Sequence, residues 1–236
     1  MSAAIRCMLG SGGDEPIRWA AFGLWAFNSF KLAAIAAALA TSLALLLAFM
    51  LRRSRGQKSS RLMQAITQIT AMGYAVPGAV IVVGLLLPVG LLQAWRPEWS
   101  IGALVTTSIL GVIWAYLVRF TAVALQSIQS GYTRIPLSLD DSARMLGSSS
   151  IHLLTRVHGP LLSRSAAVAA LLVFVDVMKE LPATLVLRPF NHDTLAVMAY
   201  QLAKDERLAE AALPSLALVL VGLLPVIFLS RTLREK

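Results

Sequence analysis

The sequence predicts an all-α polytopic membrane helical bundle with about five transmembrane helices, on three observations. Of the 236 residues, 57% are apolar and 14% charged. Soluble domains run about 45–50% and about 25%, so this chain has too little polar surface to coat a water-soluble globule. Second, five nearly uncharged stretches each approach the roughly 20 residues of helix that a hydrocarbon core of about 30 Å requires. Third, the formal net charge of +9 is spread between those stretches and forms no patch. An ordinary water-soluble enzyme is excluded, and charge placed by topology argues for membrane lipid as the partner and against nucleic acid.

The expected spans are 32–51, 73–92, 99–118, 165–187 and 211–230. Leu32 to Leu51 is uncharged and is followed at once by Arg52, Arg53 and Arg55. Leu62 to Trp95 is uncharged throughout, and Gln64 and Gln68 push its best membrane portion to Gly73–Leu92. Trp99 to Val118 and Ala211 to Ser230 are the third and fifth, and Ser165 to Leu187 is the fourth. The aromatic stretch Trp19 to Phe30 is too short to span, so residues 1–31 read as an extracytoplasmic or interfacial segment. Asp14, Glu15 and Arg18 ahead of it are wrong for a cleavable signal. Residues 32–231 form the transmembrane domain and 232–236 a tail.

Orientation follows from Lys and Arg near the span ends. Thirteen lie on the side holding Arg52 to Arg61, the loop 119–164 and the C-terminal tail, and seven lie opposite. The loop and the C-terminus are therefore expected in the cytoplasm, with the N-terminus outside.

That loop has its own organisation. Gly131 and Pro136 close the extension of span three, and Ser138-Leu139-Asp140-Asp141 reads as a capping box opening a short helix with both carboxylates in its first turn. The helix is expected to run to about Leu146 and stop at Gly147, which takes positive φ at no steric cost. Ser148 to Ser150 then offer an N-cap for a second short helix ending before Gly159-Pro160. A compact helix, glycine turn and helix suits docking into a groove; a plain solvated connection is the alternative.

The fourth span carries Asp176 near the bilayer midplane, with Lys179 and Glu180 three and four residues on, so that all three can share one face. Pro182 should kink or end the helix. These charges read as the lining of a translocation pathway, with a self-neutralising structural cluster as the alternative. From Arg188 to Glu210, Leu195, Met198 and Leu202 follow a cap at Asp193, as in a surface helix at the membrane interface or a contact for a binding protein. The single Cys7 and the spacing of His152, His158 and His192 give no metal site, and no GxxxxGK[ST] phosphate loop occurs. No cofactor is expected.

Asp141-Ser142-Ala143, three residues, Gly147, nine residues and Val157-His158-Gly159-Pro160 resemble the EAA loop of binding-protein-dependent ABC importer permeases, whose pattern is Glu-Ala-Ala, three residues, Gly, nine residues, Ile, any residue, Leu, Pro. Asp141, Ser142 and Val157 are mild departures, and Gly159 for Leu is a larger one. The resemblance implies a type I importer permease (MetI-like) fold. It also implies that Asp141, Ala143 and Gly147 lie at or near the contact with a dimer of cytoplasmic ATPase subunits, and that a periplasmic substrate-binding protein delivers the cargo. The segments Phe174–Thr184, Gly73–Gly78 and Asp205–Pro214 are similar to the ferric-iron permeases of that family, and the resemblance covers roughly 28–231. Those permeases usually fuse two such halves, so a second permease half or a second copy is an expected partner, this sequence resembling a C-terminal half. The expected function is a bacterial inner-membrane permease subunit, not an enzyme, importing ferric iron on ATP hydrolysed by another chain. Thiamine, polyamine or phosphonate cargo, an ion-coupled secondary transporter using Asp176, Lys179 and Glu180, and a membrane-embedded enzyme lacking any recognisable catalytic set are the rivals.

Overall fold

A computed structural model describes residues 19–54 and 60–234. Expectations resting on Arg6, Cys7, Asp14, Glu15 and Arg18, on Arg55 and Lys58, and on Lys236 lie outside the described residues. Every regular element among the described residues is helical: α1 (Trp19–Arg53), α2 (Ser60–Met72), α3 (Gly78–Trp95), α4 (Ile101–Thr107), α5 (Ile109–Tyr132), α6 (Leu137–Met145), α7 (Ser150–Met178), α8 (Pro182–Leu187), α9 (Leu195–Lys204) and α10 (Leu208–Arg234), with a single 3-10 turn, Pro97–Trp99, between α3 and α4. Four of them, α1, α3, α5 and α7, are long and apolar enough to cross a membrane, and α10 contributes a shorter apolar stretch, Leu208–Leu223.

The chain divides into two compact units. One holds Met1–Ala36, Pro77–Tyr116 and Phe174–Lys236, and within it α9 packs on α10, α8 on α3, and α3 on α4. The other holds Ala37–Val76 and Leu117–Val173, and it contains α2, α6, the end of α1 and most of α5 and α7.

Several helix limits differ from the expected spans. The break expected between Phe30 and Leu32 is absent, because α1 runs 35 residues without a proline. Its pattern is inverted relative to a soluble helix: Ala36, Ala40, Ala44 and Ala48 are buried, while Ile35, Leu39, Leu43 and Leu46 are exposed. Small residues inward and large apolar ones outward allow close backbone packing in lipid, where hydrophobicity alone gives helices no reason to associate. The expected second span at 73–92 opens instead with a break over Gly73–Pro77 between α2 and α3. Pro77, which has no N–H to give, stands at the N-cap of α3 and interrupts no helix. The expected third span at 99–118 is divided at Ser108, an extended residue between α4 and α5, and α5 continues to Tyr132.

The fourth span begins earlier than residue 165. The second loop helix does not end before Gly159-Pro160: it runs on into the membrane stretch as α7. Residues Leu153–His158 take π-helical geometry, with the Gly159 N–H bonded to the Leu154 carbonyl. This wider turn rearranges the hydrogen-bond ladder just ahead of Pro160, so the helix passes through the proline. At the other end α7 stops at Met178, and Pro182 starts α8 at a position where a missing N–H costs nothing. The cap of α9 is Thr194, not Asp193, with the Thr194 hydroxyl accepting from the Val197 N–H. Asp193 instead pairs with Arg188. Nor is α9 simply a surface helix: Leu195, Ala196, Val197 and Leu202 are buried, and its start is held by α1, where the Ser29 hydroxyl accepts from the Leu195 N–H and the Asn28 amide donates to the Asp193 carbonyl.

Candidate functional site

The segment joining α5 to α7 is an elbow: α6, a turn at Gly147, then the start of α7. Gly147 has φ +79°, and the N–H groups of Gly147 and Ser148 bond to the carbonyls of Arg144 and Ala143, closing the C-terminus of α6. The Ser149 hydroxyl caps α7 by accepting from the His152 N–H. The start of α6 departs from expectation. Pro136 is its N-cap residue with no side-chain cap bond, so Ser138 and Asp141 form no capping box.

Asp140 is in the first turn of α6 but turns inward, and it organises the base of the elbow. Arg52 and Asp140 meet fork to fork, Nε to Oδ2 at 2.7 Å and Nη2 to Oδ1 at 3.0 Å, with both side chains less than a tenth exposed. The remaining guanidinium donors reach the carbonyls of Tyr132 (3.5 Å), Ile135 (2.9 Å) and Pro136 (2.8 Å), which end α5 and lead into α6. The Tyr132 carbonyl ends a helix, where partners are missing and a cation is favoured, and those of Ile135 and Pro136 lie in the link that follows it. His158, fully buried, donates from Nε2 to Asp140 Oδ1 at 3.0 Å, and the Tyr132 hydroxyl donates to its Nδ1 at 2.9 Å. Those partners are satisfied together by a neutral imidazole carrying its proton on Nε2. Phe49 packs edge-on against the His158 ring, 5.4 Å between centroids. Burial pushes the Asp140 carboxyl up, but the hydrogen bonds and charge of Arg52, with the His158 bond, outweigh it and hold the carboxyl below its ordinary value.

The tip of the elbow is the opposite in character. Met145, Leu146 and Ile151 are 89%, 87% and 76% exposed on either side of Gly147. Asp141, Ser142 and Gly147 are exposed there too, with Ala143 half-buried and Asp141 3.9 Å from Arg144. Val157 is half-buried on the π turn, and Gly159 and Pro160 are exposed on α7 beyond it.

The expected pathway residues are less united. Asp176 and Lys179 pair at 4.0 Å and are both partly exposed. Glu180 lies beyond the end of α7 and is buried, its Oε1 accepting from the Ala183 N–H at 3.3 Å at the start of α8. The Thr184 hydroxyl bonds to the Glu180 carbonyl and to Tyr116. The three charges therefore do not share one helical face, because the helix ends between them, and Pro182 serves as a first-turn residue of α8.

From sequence alone Arg52 reads as a topology marker, Asp140 as a helix-dipole group and His158 as one of three histidines whose spacing gives no metal site, and nothing singles out Tyr132. The one signal available was an arginine at the very end of an uncharged span, where a charge must find partners or reach water.

An all-helical chain with four helices apolar enough to cross a membrane and an exposed, clamped elbow between two of them defines a class, that of multi-span helical membrane proteins. Residues 40–234 match the family described as binding-protein-dependent transport system inner membrane component, and the chain belongs to that family. Over 120 residues it is 27% identical to the Fe(3+)-transport system permease protein FbpB 2 of Haemophilus influenzae, a match covering 51% of this chain and 24% of that protein. The match thus spans about a quarter of that relative's length. Among solved structures, the inward-facing MetNI methionine ABC transporter is similar with TM-score 0.66 and 16% identity, over 94% of this chain and 99% of that one. A bacterial alginate ABC transporter, in complex with an alginate pentasaccharide-bound periplasmic protein, gives 0.65 and 17%, over 88% and 76%. At such identities the likeness is one of fold, and it is the fold of ABC importer permeases.

Proposed function

We propose that this chain is the permease subunit of an ATP-driven importer and that its elbow docks into a groove of a separate ATPase subunit on the cytoplasmic side. The observation that carries this reading is an apolar tip, Met145, Leu146 and Ile151, held out on a base locked by buried charge. A merely solvated connection has no reason to expose three large apolar side chains on a rigid mount. Asp141, Ser142, Ala143 and Gly147 lie along the docking face, and Val157, Gly159 and Pro160 carry the elbow into α7. ATP-driven movement of the elbow would then shift α5 and α7 together and alternate access to the pathway. The ATPase works as a dimer, so a second permease half or a second copy of this chain completes the assembly. The N-terminus lies outside and the C-terminus inside.

Ferric iron is the proposed cargo, delivered by a periplasmic binding protein. The similarity to a Haemophilus Fe(3+)-transport permease supports it, together with Asp176, a hard oxygen ligand of the kind ferric ion prefers, half-exposed beside Lys179. Glu180 and Pro182 frame that segment. A proton-coupled carrier built on the same charges leaves the apolar tip without a purpose. Affinity purification of the tagged permease co-expressed with its ATPase is the test. Stoichiometric recovery of the ATPase that is lost when Met145, Leu146 and Ile151 are all replaced by serine supports docking, and recovery unchanged by that replacement overturns it. Uptake of radioactive iron from binding-protein-loaded Fe³⁺ should fall sharply in Asp176→Ala while the ATPase still co-purifies; wild-type uptake would return Asp176 to a structural role.

A further inference from the structure

We infer that the last turn of α1 is a driven part of the coupling machinery, with Arg52 and Asp140 as the positioning residues that make it move with the elbow. This inference rests on the docking reading above. The helices that the chain itself joins to the elbow are α5 and α7, so they must follow it in any case. Chain connectivity gives α1 no such obligation, since α1 and α6 are 84 to 88 residues apart in the contacts that join them. Yet Phe49, Arg52 and Arg53, three and four positions apart and so on one face of α1, each hold a different part of the elbow. Phe49 bears on the His158 ring at the start of the π-to-α passage in α7. Arg52 binds both oxygens of Asp140 in α6 and the carbonyls of Ile135 and Pro136 ahead of it. Arg53 donates to the Ser150 hydroxyl where α7 begins.

A guanidinium whose donors are all engaged in planar, charge-assisted bonds has no spare rotation, and its burial removes water as a substitute partner. Sliding α6 past α1 would break the fork and the carbonyl bonds together. The cheaper motion moves α1 with α6 as one body. This last turn belongs to one uninterrupted helix of 35 residues and is no detached segment.

The test uses the full chain with its co-purified ATPase in lipid nanodiscs, spin-labelled at Met50→Cys on α1 and Ser138→Cys on α6, away from the docking tip, in a Cys7→Ser background. Both label sites are exposed. Label-to-label distances are compared without nucleotide and with ATP trapped by vanadate. With the clamp intact the distance should be a single narrow population that trapping leaves in place. In Arg52→Met/Asp140→Asn, which neutralises both partners so that no charge is stranded, trapping should shift or split it by up to one helical turn, about 5.4 Å. ATP hydrolysis and thermal midpoint are measured on the same samples, so that a loss of fold is seen as such. Arg52→Lys, which keeps the charge and loses the fork, should broaden the distribution. A distance that changes on trapping in the unsubstituted clamp, or one that stays fixed in the double variant at an equal melting midpoint, overturns the inference while leaving docking intact. Failure of any ATPase to bind overturns the docking reading itself.

Discussion

Removing the Asp140 carboxylate would strand the Arg52 guanidinium in a buried site, and breaking a buried pair from one side costs about 3–5 kcal/mol. Asp140→Ala should therefore lower the melting midpoint of the detergent-solubilised protein far more than Asp141→Ala, whose side chain is exposed. Arg52→Met/Asp140→Asn should recover most of that loss, because two neutral partners leave no charge behind. The pH dependence has a definite sign. The folded Asp140 titrates below its ordinary 3.8, so its stabilisation is fully present above that value and is lost only as pH falls through the lower folded one. Thermal melts from pH 7 to pH 5 should show no loss attributable to this group, with the decline confined to stronger acid. Gly147 is a separate case: its φ of +79° strains any residue with a Cβ, although open space surrounds it. Gly147→Val should cost about 1–2 kcal/mol from the left-handed conformation alone, and by distorting the tip it should leave ATP hydrolysis running while transport per ATP falls. Retained coupling would separate the tip's shape from its role.

Among the elements, α1 and α7 show how helix limits escape a count of apolar residues. The stretch Trp19 to Phe30 is too short to cross a membrane by itself, yet nothing in it stops a helix, so it joins the next apolar run. Pro160 looks like a terminator by rule, and the π turn just before it removes the conflict. Gly73 is constrained differently: a Cβ there would collide with the Val118 carbonyl of α5, so the break between α2 and α3 lies against a helix backbone. Gly131 likewise leaves room on α5 for Ser165 and Leu162 of α7. Gly131→Leu should force α5 and α7 apart and destabilise the protein by about 1–3 kcal/mol, as overpacking does, whereas Gly84→Leu, with nothing nearby, should be neutral in the same melt. Equal effects at the two sites would show that helix propensity, not contact, decides.

At the scale of the whole molecule, the side of the membrane is the property the charge count predicts most directly. In spheroplasts and inverted vesicles, a cysteine at Met145 should react with an impermeant maleimide only from the cytoplasmic face, and one at Phe190 only from the outer face; the reverse pattern would invert the topology. Composition, the position of arginines and the elbow's spacing were enough to reach an all-helical membrane protein, its family and the turn at Gly147, because lipid imposes helices and apolar length on any chain that crosses it, and because a glycine stop is a local matter of backbone sterics. Local rules could not say which way Asp140 faces, that Arg52 finds it from more than 80 residues away, or that Glu180 serves the start of α8 and not a shared face with Asp176. Those outcomes depend on which helix ends arrive side by side, and a charge at a helix terminus takes whatever partner the packing puts within reach. Sequence thus determined the material and the turns of this protein. Only the tertiary structure decided which charges hold them together.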